Sequence, residues 1–129
     1  DDSYNASPAA LEAAIAALAA TPSDGRRVLV VGEMLELGDR AADLHESCGA
    51  AAARAGVSLI AAIGGPAMDR FVEAARRGGV PPSAIHRFVD SRTAAGAVAG
   101  LLRPGDVVLV KGSRGTRTDV VVDHLVAVA

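Results

Sequence analysis

Short runs of β-branched residues alternate with alanine-rich runs along this chain. We predict β-strands for four of the β-branched runs: VLVVG (28–32), VSLIAAIGG (57–65), AIHRFV (84–89) and DVVLVKG (106–112). The last run is almost continuously apolar, which is typical of a strand that is buried on both faces.

The segments between these strands have the composition and spacing of helices. They are residues 8–20, 40–55, 66–78, 91–102 and 118–127. Ser7 is a good N-cap for the first helix, with Pro8 at its first position. Ser91 can cap the fourth helix, and Gly78 with Gly79 ends the third.

The alternation of strands and helices determines the predicted fold class. Strand and helix segments at this spacing favour right-handed βαβ crossovers. We therefore predict an α/β fold, a Rossmann-like three-layer sandwich with a mostly parallel sheet and helices on both faces. At 129 residues, the chain is expected to form a single domain over residues 1–129.

Composition excludes several classes of protein. Hydrophobic residues make up 50% of the chain, which excludes a disordered protein. Aromatic residues make up 2% and the net charge is −2, which argues against a nucleic-acid partner. Cys48 is the single cysteine, and we expect it to be a core residue on a helix rather than a catalytic thiol. The apolar runs fall short of the ~20 residues that a membrane span needs, which predicts a cytoplasmic domain.

Three polar loops follow the predicted strands or open the chain. They are DDSYN (1–5), GEMLELGD (32–39) and KGSRGTR (111–117). In open parallel sheets, ligands bind beyond the carboxyl ends of the strands, where these loops are expected to lie. The first loop offers carboxylates and an amide that suit a sugar hydroxyl or hydrated Mg²⁺, but Asp and Asn also favour ordinary turns. Both interpretations remain open from spacing alone.

The second loop carries Glu33, Glu36 and Asp39, and we interpret it as a solvated acidic loop. No GxGxxG motif follows the strand, so the glycines there do not form a dinucleotide-binding fingerprint.

The third loop clusters the cations Lys111, Arg114 and Arg117 around Ser113 and two glycines. Backbone N–H groups and fixed guanidinium donors suit a carboxylate or phosphate, an interpretation that we prefer to a basic surface turn. The chain has no GxxxxGK[ST] motif, so this domain does not hold a nucleoside triphosphate as P-loop enzymes do.

The histidines do not form a metal site. His45 falls on the predicted second helix, where a packed or solvated side chain is the expected state. His86 and His124 carry no motif, and no His/Cys cluster supports zinc, so we predict no metal site.

The opening DDSYNASP resembles the DDSYNANP signature of the Mur ligases, in the branch that adds D-alanyl-D-alanine. The resemblance continues in register through VLVVGEMLELGD, the helix with His45, LIAAIGG and DVVLVKGSRGTR, and spans essentially the whole chain. The three loop motifs together make it specific. Ser7 departs from the signature, but serine caps a helix about as well as asparagine.

The resemblance implies a fragment of a three-domain enzyme. Such enzymes join a UDP-sugar domain, a P-loop ATPase domain and a Rossmann-like C-terminal domain, and this chain is similar to the third. The implied activity is a cytoplasmic step of peptidoglycan synthesis, in which ATP activates UDP-N-acetylmuramoyl-tripeptide and D-Ala-D-Ala attacks the acyl phosphate. The absent central domain would bind most of the ATP and Mg²⁺. We expect a monomer, and we expect the isolated domain to be inactive.

The resemblance also implies roles for individual residues. Asp2 would meet the ATP ribose, and Tyr4 and Asn5 are further nucleotide candidates, since Asn5 stands where sibling enzymes carry a histidine. The residues implied for the D-Ala-D-Ala site are Lys111, Ser113, Arg114, Glu33, Leu37 and His45. Within that set, Arg114 would pair with the terminal carboxylate, and His45 would support the loop that bears Glu33.

Three alternative functions remain. The first is a Mur ligase domain whose enzyme adds a single amino acid. The second is a phosphoacceptor receiver domain, which needs an aspartate that LIAAIGG (59–65) lacks at the end of its strand. The third is a non-catalytic nucleotide-binding module.

Overall fold

A parallel sheet organises the part of the chain that the structure describes, which is residues 7–111 and 124–128 of a computed structural model. The strands are β1 (Arg27–Gly32), β2 (Leu59–Ile63), β3 (Ile85–Phe88), β4 (Val107–Lys111) and β5 (His124–Ala127). The α-helices are α1 (Pro8–Ala20), α2 (Ala41–Arg54), α3 (Ala67–Arg77) and α4 (Ser91–Ala99). Short 3₁₀ turns lie at Gly38–Arg40 and Pro82–Ala84.

The strand order across the sheet is β3-β2-β1-β4-β5. The first four strands pair in parallel, and β5 pairs antiparallel with β4. The four predicted strands and the first four predicted helices are confirmed, as is the α/β fold with helices on both faces.

The predicted fifth helix is wrong where the structure describes it. Residues 124–127 form strand β5, and 118–123 lie outside the described residues. A short apolar run does not distinguish a helix from a strand by its periodicity. Strand pairing determines the conformation of residues 124–127, because β5 forms hydrogen bonds with the backbone N–H and C=O groups along the edge of the buried strand β4.

The helix caps follow local chemistry, with one correction. The Ser7 hydroxyl accepts a hydrogen bond from the Ala10 N–H at 3.1 Å, so the predicted start of α1 is confirmed. The N-cap of α4 is Asp90 rather than Ser91, and its carboxylate accepts from the Thr93 N–H at 2.8 Å. That hydrogen bond lowers the pKa of the Asp90 carboxyl. Asp90 has the extended backbone that an N-cap needs, whereas Ser91 is already helical.

The core has two layers, one on each side of the sheet. Helices α1, α2 and α3 cover one face, with Cys48 fully buried among them as predicted. Helix α4 packs on the other face, where Ala94 and Val98 belong to the same core layer as Val28, Val30 and Val108. Alternate residues of β1 and β4 serve the two layers, as expected for strands that are buried on both faces.

The order in which strands are added to the sheet changes direction at β1. Strands β2 and β3 lie on one side of it, and β4 lies on the other. The crevice between the carboxyl ends of β1 and β4 is therefore a topological switch point, which is where open α/β sheets bind their ligands. Val31 of β1 is the Cα partner of Lys111, the last residue of β4, so Lys111 lies at this point.

Candidate functional site

Glu33 lies at the carboxyl end of β1, on one side of the switch point. Its backbone N–H donates to the Ile63 carbonyl at 2.9 Å, which extends the ladder between β1 and β2 by one hydrogen bond. Its side-chain Oε1 accepts from the Gly65 N–H at 2.5 Å. The half-buried carboxylate is therefore held by the backbone of the neighbouring strand's exit turn, which fixes a negative charge at this edge.

The turn Gly64–Gly65 lies directly against Glu33. A Cβ atom added to Gly64 would lie 2.6 Å from the Glu33 Cβ, and Gly64 has a φ of 132°, a conformation that favours glycine. A Cβ on Gly65 would lie 3.0 Å from Glu33 Oε1. The glycine pair is therefore what allows the acidic side chain to pack so closely on this turn.

Two residues of the loop after Glu33 are packed against the core rather than solvated. Met34 is 2% exposed and Leu37 packs against the core formed by α1–α3, so the interpretation as a solvated loop is wrong for these two residues. Glu36 and Asp39 are exposed, as that interpretation expected. Leu35 is 41% exposed and points away from the core. Packing thus places Met34 and Leu37 inward and leaves Leu35, Glu36 and Asp39 in solvent.

Glu36 adopts an unusual backbone conformation in this loop. Its φ is 61°, in the left-handed region that side chains other than glycine, asparagine and aspartate seldom occupy. Such strained conformations cost about 1–3 kcal/mol and concentrate at ligand sites. The left-handed conformation of Glu36 therefore marks this loop as a candidate for a ligand site.

His45 holds this loop to α2. Its Nε2 accepts from the Met34 N–H at 3.0 Å, and its Nδ1 lies 2.6 Å from the Ala41 carbonyl oxygen. An amide can only donate and a carbonyl can only accept, so the imidazole is the neutral tautomer with its proton on Nδ1. The ring is completely buried, which confirms the expectation of a packed histidine. His45 therefore supports the loop from within the core, and its implied place in the D-Ala-D-Ala site stays a prediction.

Lys111 ends β4 on the other side of the switch point. The strand is buried from Val107 to Val110, and Lys111 is its first half-buried residue. Because side chains alternate along a strand, Lys111 shares the face of Leu109, which α1–α3 cover. Lys111 therefore lies at the end of one strand that flanks the crevice, and Glu33 directly follows the other.

Helix α1 runs along the sheet and starts towards the same edge. Arg27, at the start of β1, donates to the Leu18 and Thr21 carbonyls at 3.1 and 3.0 Å, so α1 ends beside the amino end of the sheet. With a length of about 20 Å for 13 residues, α1 starts towards the carboxyl end. Ser7, its N-cap, is the first described residue.

Five of the residues implied by the resemblance lie outside the described part of the chain. They are Asp2, Tyr4, Asn5, Ser113 and Arg114. Their roles stay predictions. Among the implied residues that the structure does describe, Lys111 ends β4 and Glu33 follows β1 with its carboxylate on the β2 exit turn. Leu37 packs against the core, and His45 anchors the loop.

Sequence reasoning missed Arg87 on β3. Its Nη1 donates to the Ala62 carbonyl at 3.0 Å, and its Nη2 donates to the Gly64 and Gly65 carbonyls at 3.2 and 3.1 Å. Its Nε donates to Asp69 at 3.2 Å. No motif marks an arginine on a short edge strand, so only the register between β2 and β3 reveals these contacts.

The opposite end of the sheet carries a cavity of about 350 Å³ among Arg26, Ser58, His86 and Arg103. It lies at the amino ends of the strands, away from the end at which α/β sheets bind their ligands. We therefore assign the functional site to the carboxyl edge. Within residues 7–111 and 124–128, no group of three or more His, Cys, Asp or Glu side chains could hold a metal ion. In the same ranges, no helix has the length and apolarity for a transmembrane segment.

Comparison with known proteins identifies consistent relatives. A family model described as "Mur ligase, glutamate ligase domain" matches residues 2–114. The UDP-N-acetylmuramoyl-tripeptide--D-alanyl-D-alanine ligase of Mycobacterium bovis is 36% identical over 98% of this chain and 28% of its own length. The enzyme of the same name from Bacillus subtilis is 29% identical over 98% of this chain and 27% of its own length.

Solved structures of relatives have the same fold as this chain. A crystal structure of MurF from Acinetobacter baumannii matches with a TM-score of 0.74 and 27% identity, over 93% of this chain and 26% of that one. MurF ligase from Thermotoga maritima, in complex with ADP, matches with a TM-score of 0.67 and 31% identity, over 92% of this chain and 25% of that one. The chain thus spans about a quarter of the length of these relatives.

Proposed function

This chain belongs to the Mur ligase family through its glutamate ligase domain, and from that premise we propose that it is the closing, substrate-binding domain of an ATP-dependent ligase. The proposed enzyme joins D-Ala-D-Ala to UDP-N-acetylmuramoyl-tripeptide in peptidoglycan synthesis. Relatives that carry this activity in their names match 98% of the chain, which supports the dipeptide as the amine substrate.

The proposed reaction has two chemical steps. A carboxylate oxygen of the UDP-linked tripeptide attacks the γ-phosphorus of ATP, which forms an acyl phosphate and releases ADP. The amine of D-Ala-D-Ala then attacks the acyl carbon, and the tetrahedral intermediate collapses to the amide and inorganic phosphate as the amine loses a proton. Phosphorylation replaces a poor leaving group with a good one.

The domain's contribution is to position the amine and to exclude water. Holding two reactants in attack geometry supplies a large part of the rate enhancement, on the order of 10⁵ M or more in effective concentration. Closure also excludes the water that would hydrolyse the acyl phosphate. Lys111, Ser113 and Arg114 would hold the dipeptide, with Arg114 on its terminal carboxylate, because a planar guanidinium binds a carboxylate through two parallel hydrogen bonds.

The nucleotide would be met by the opening motif. Asp2 would contact the ribose, with Tyr4 and Asn5 beside it, when the domain closes on an ATP-loaded neighbour. Mg²⁺ would neutralise phosphate charge in that neighbour. The described residues of this chain offer no set of ligands for it, so we assign it no site here.

One observation carries the proposal. Glu33 directly follows β1 and Lys111 ends β4, the two strands that flank the topological switch point, on a chain that the family matches from residue 2 to residue 114. A receiver domain would need an aspartate at the end of its strand, where β2 is followed by Gly64 and Gly65. A non-catalytic nucleotide-binding module would not account for the match to the glutamate ligase domain. A Mur ligase that adds a single amino acid is consistent with both observations, and it remains the second candidate.

The substrate is tested in the full-length enzyme. Arg114→Ala is expected to raise the KM for D-Ala-D-Ala far more than the KM for ATP. D-Ala alone is expected to be a poor amine substrate. Equal effects on both KM values would contradict the assignment of Arg114, and efficient use of D-Ala would favour the second candidate. A phosphate-release assay on the isolated chain is expected to show no ATPase or ligase activity.

A further inference from the structure

Arg87 makes an unusual number of backbone contacts for a residue on an edge strand. It is the Cα partner of Ala62, so its side chain runs along the end of β2. The guanidinium donates to three carbonyls at the exit of β2, those of Ala62, Gly64 and Gly65, at 3.0–3.2 Å. Asp69 accepts from its Nε at 3.2 Å and holds it from the side of α3. Its side chain is 31% exposed, so these contacts are partly shielded from water.

Arg87 and Glu33 hold the same turn from opposite sides. The Gly64 and Gly65 carbonyls accept from Arg87, whereas the Gly65 N–H donates to Glu33 Oε1 at 2.5 Å. A peptide group whose carbonyl accepts from a cation is a stronger donor, because hydrogen bonds in a chain polarise one another. The cation on β3 and the carboxylate after β1 are therefore coupled through one glycine pair.

The turn has little freedom to adjust if either partner is lost. The Gly64 N–H donates to the Phe88 carbonyl at 2.9 Å, and the Gly65 carbonyl also accepts from the Met68 N–H at the start of α3. Its backbone already lies against the Glu33 Cβ. A change in the position of the turn is therefore transmitted to the Glu33 side chain.

We propose that Arg87 is a positioning residue for the substrate edge, which fixes the Glu33 carboxylate at the carboxyl edge of the sheet, between β1 and β2, through the Gly64–Gly65 turn. This inference rests on the proposed function. The Arg87 guanidinium does not contact the substrate. It keeps Glu33 oriented towards the place where the amine end of D-Ala-D-Ala approaches, while Lys111 serves the carboxylate end.

The test is a double-mutant cycle in the full-length ligase, with Arg87→Ala, Glu33→Gln and the two combined. Glu33→Gln keeps an oxygen that can accept from Gly65 and removes only the charge. We expect Arg87→Ala to raise the KM for D-Ala-D-Ala roughly 10-fold or more, as misplacement of a positioning group does, with the KM for ATP and kcat nearly unchanged. The combined variant should be no worse than the worse of the two single variants.

Matched variants separate positioning from folding. Arg76→Ala removes a similar ion pair, with Glu73 on the exposed face of α3, and should leave both KM values unchanged. Arg87→Lys keeps the charge but cannot bridge three carbonyls, so it should restore only part of the loss, and it serves as the second variant if Arg87→Ala fails to fold. Among the variants that fold, those changed at Arg87 should show faster hydrogen exchange at the Gly65 amide. Arg76→Ala should leave that exchange rate unchanged.

The outcomes are distinguishable from failure of the proposed function. Additive effects of Arg87→Ala and Glu33→Gln, or a loss of kcat that merely follows the folded fraction, would overturn the role of Arg87. If Arg114→Ala raises the KM for D-Ala-D-Ala and neither Arg87 variant does, only this inference fails. If none of these variants changes the KM for D-Ala-D-Ala, the proposed function fails as well.

Discussion

The imidazole of His45 accepts a hydrogen bond from the Met34 backbone N–H at 3.0 Å, across the loop that leaves β1. The same ring donates from Nδ1 to the Ala41 carbonyl, so one buried side chain joins the loop to the first turn of α2. This link gives the buried histidine a structural role in the core. It also shows how the α2 sequence determines the shape of a loop at the candidate site.

Replacement of His45 should therefore destabilise the loop in a way that depends on hydrogen bonding. His45→Phe fills a similar volume but leaves the Met34 N–H without an acceptor, which should cost about 1–3 kcal/mol in the free energy of unfolding. His45→Gln, whose side-chain oxygen can accept, should recover part of that loss. Urea unfolding and hydrogen exchange at Met34 measure both effects. Equal stability of the Phe and Gln variants would contradict the role of the Met34 hydrogen bond.

Helices α2 and α3 approach closely at a glycine. A Cβ atom on Gly49 would lie 2.1 Å from the Phe71 backbone oxygen, a distance that only movement of a helix could relieve. Gly49→Ala should therefore destabilise the domain by about 1–3 kcal/mol through overpacking, even though alanine favours helix by about 1 kcal/mol. The matched control is Gly96→Ala in α4, where nothing lies within 4 Å of the added Cβ.

The control should change stability in the opposite direction. Gly96→Ala is expected to stabilise the domain by about 0.5–1 kcal/mol, since it gains helix propensity without a clash. Thermal unfolding of the two variants side by side measures both changes. The helix packing described here would be wrong if Gly49→Ala were as stabilising as Gly96→Ala.

The ion pair between Arg26 and Asp106 predicts a dependence of stability on pH. The guanidinium donates to both carboxylate oxygens at 2.7 and 3.0 Å, and the Arg103 N–H donates to the same carboxylate at 2.9 Å. These hydrogen bonds, that from Arg26 first, lower the pKa of the Asp106 carboxyl below its ordinary value of about 3.9. The folded state therefore binds this proton less readily than the unfolded chain does.

The sign of the effect follows from that difference. The stabilisation is fully present above a pH of about 3.9 and is lost as the pH falls through the lowered pKa of the folded state. Asp106→Asn should cost about 1–3 kcal/mol at neutral pH, and the gap from the unmodified chain should narrow below pH ~3.9. Urea unfolding of both proteins across pH 2 to 7 measures the gap, and a gap that stays constant would contradict this account.

Cys48 should be unreactive in the folded domain. It is fully buried, and this burial, with a smaller contribution from Glu12, raises the pKa of its thiol to about 12. Because the thiolate is the nucleophile, a maleimide at neutral pH should label Cys48 only after unfolding in urea. Rapid labelling of the folded chain, followed by mass spectrometry, would show that the α1–α2 core opens far more readily than its packing implies.

The sequence predicts the architecture well where local patterns determine it. The β1, β2 and β4 runs are continuous and apolar, and Ser7 with Pro8 marks the start of α1, so these elements follow from composition and periodicity. Strand β5 could not be predicted in this way, because its conformation depends on pairing with β4 rather than on its own pattern.

The residues of the candidate site also divide into those that local patterns predict and those that depend on strand pairing. Glu33 and Lys111 follow strands that the sequence reveals, so their convergence at one edge could be expected from parallel topology alone. Arg87 could not, because its hydrogen bonds to Gly64 and Gly65 depend on the register of two strands 25 residues apart, measured from Ala62 to Arg87. Long side chains that bind backbone atoms leave no sequence motif.

The central claim is that the crevice between β1 and β4 holds the amine substrate, and Lys111 tests it most directly. In the full-length ligase, Lys111→Met should raise the KM for D-Ala-D-Ala by roughly 10- to 100-fold, the loss expected for one hydrogen bond to a charged group. The KM for ATP should change little, and Arg54→Ala, at the exposed end of α2, should change neither. An unchanged KM for D-Ala-D-Ala in a folded Lys111→Met enzyme would contradict the account.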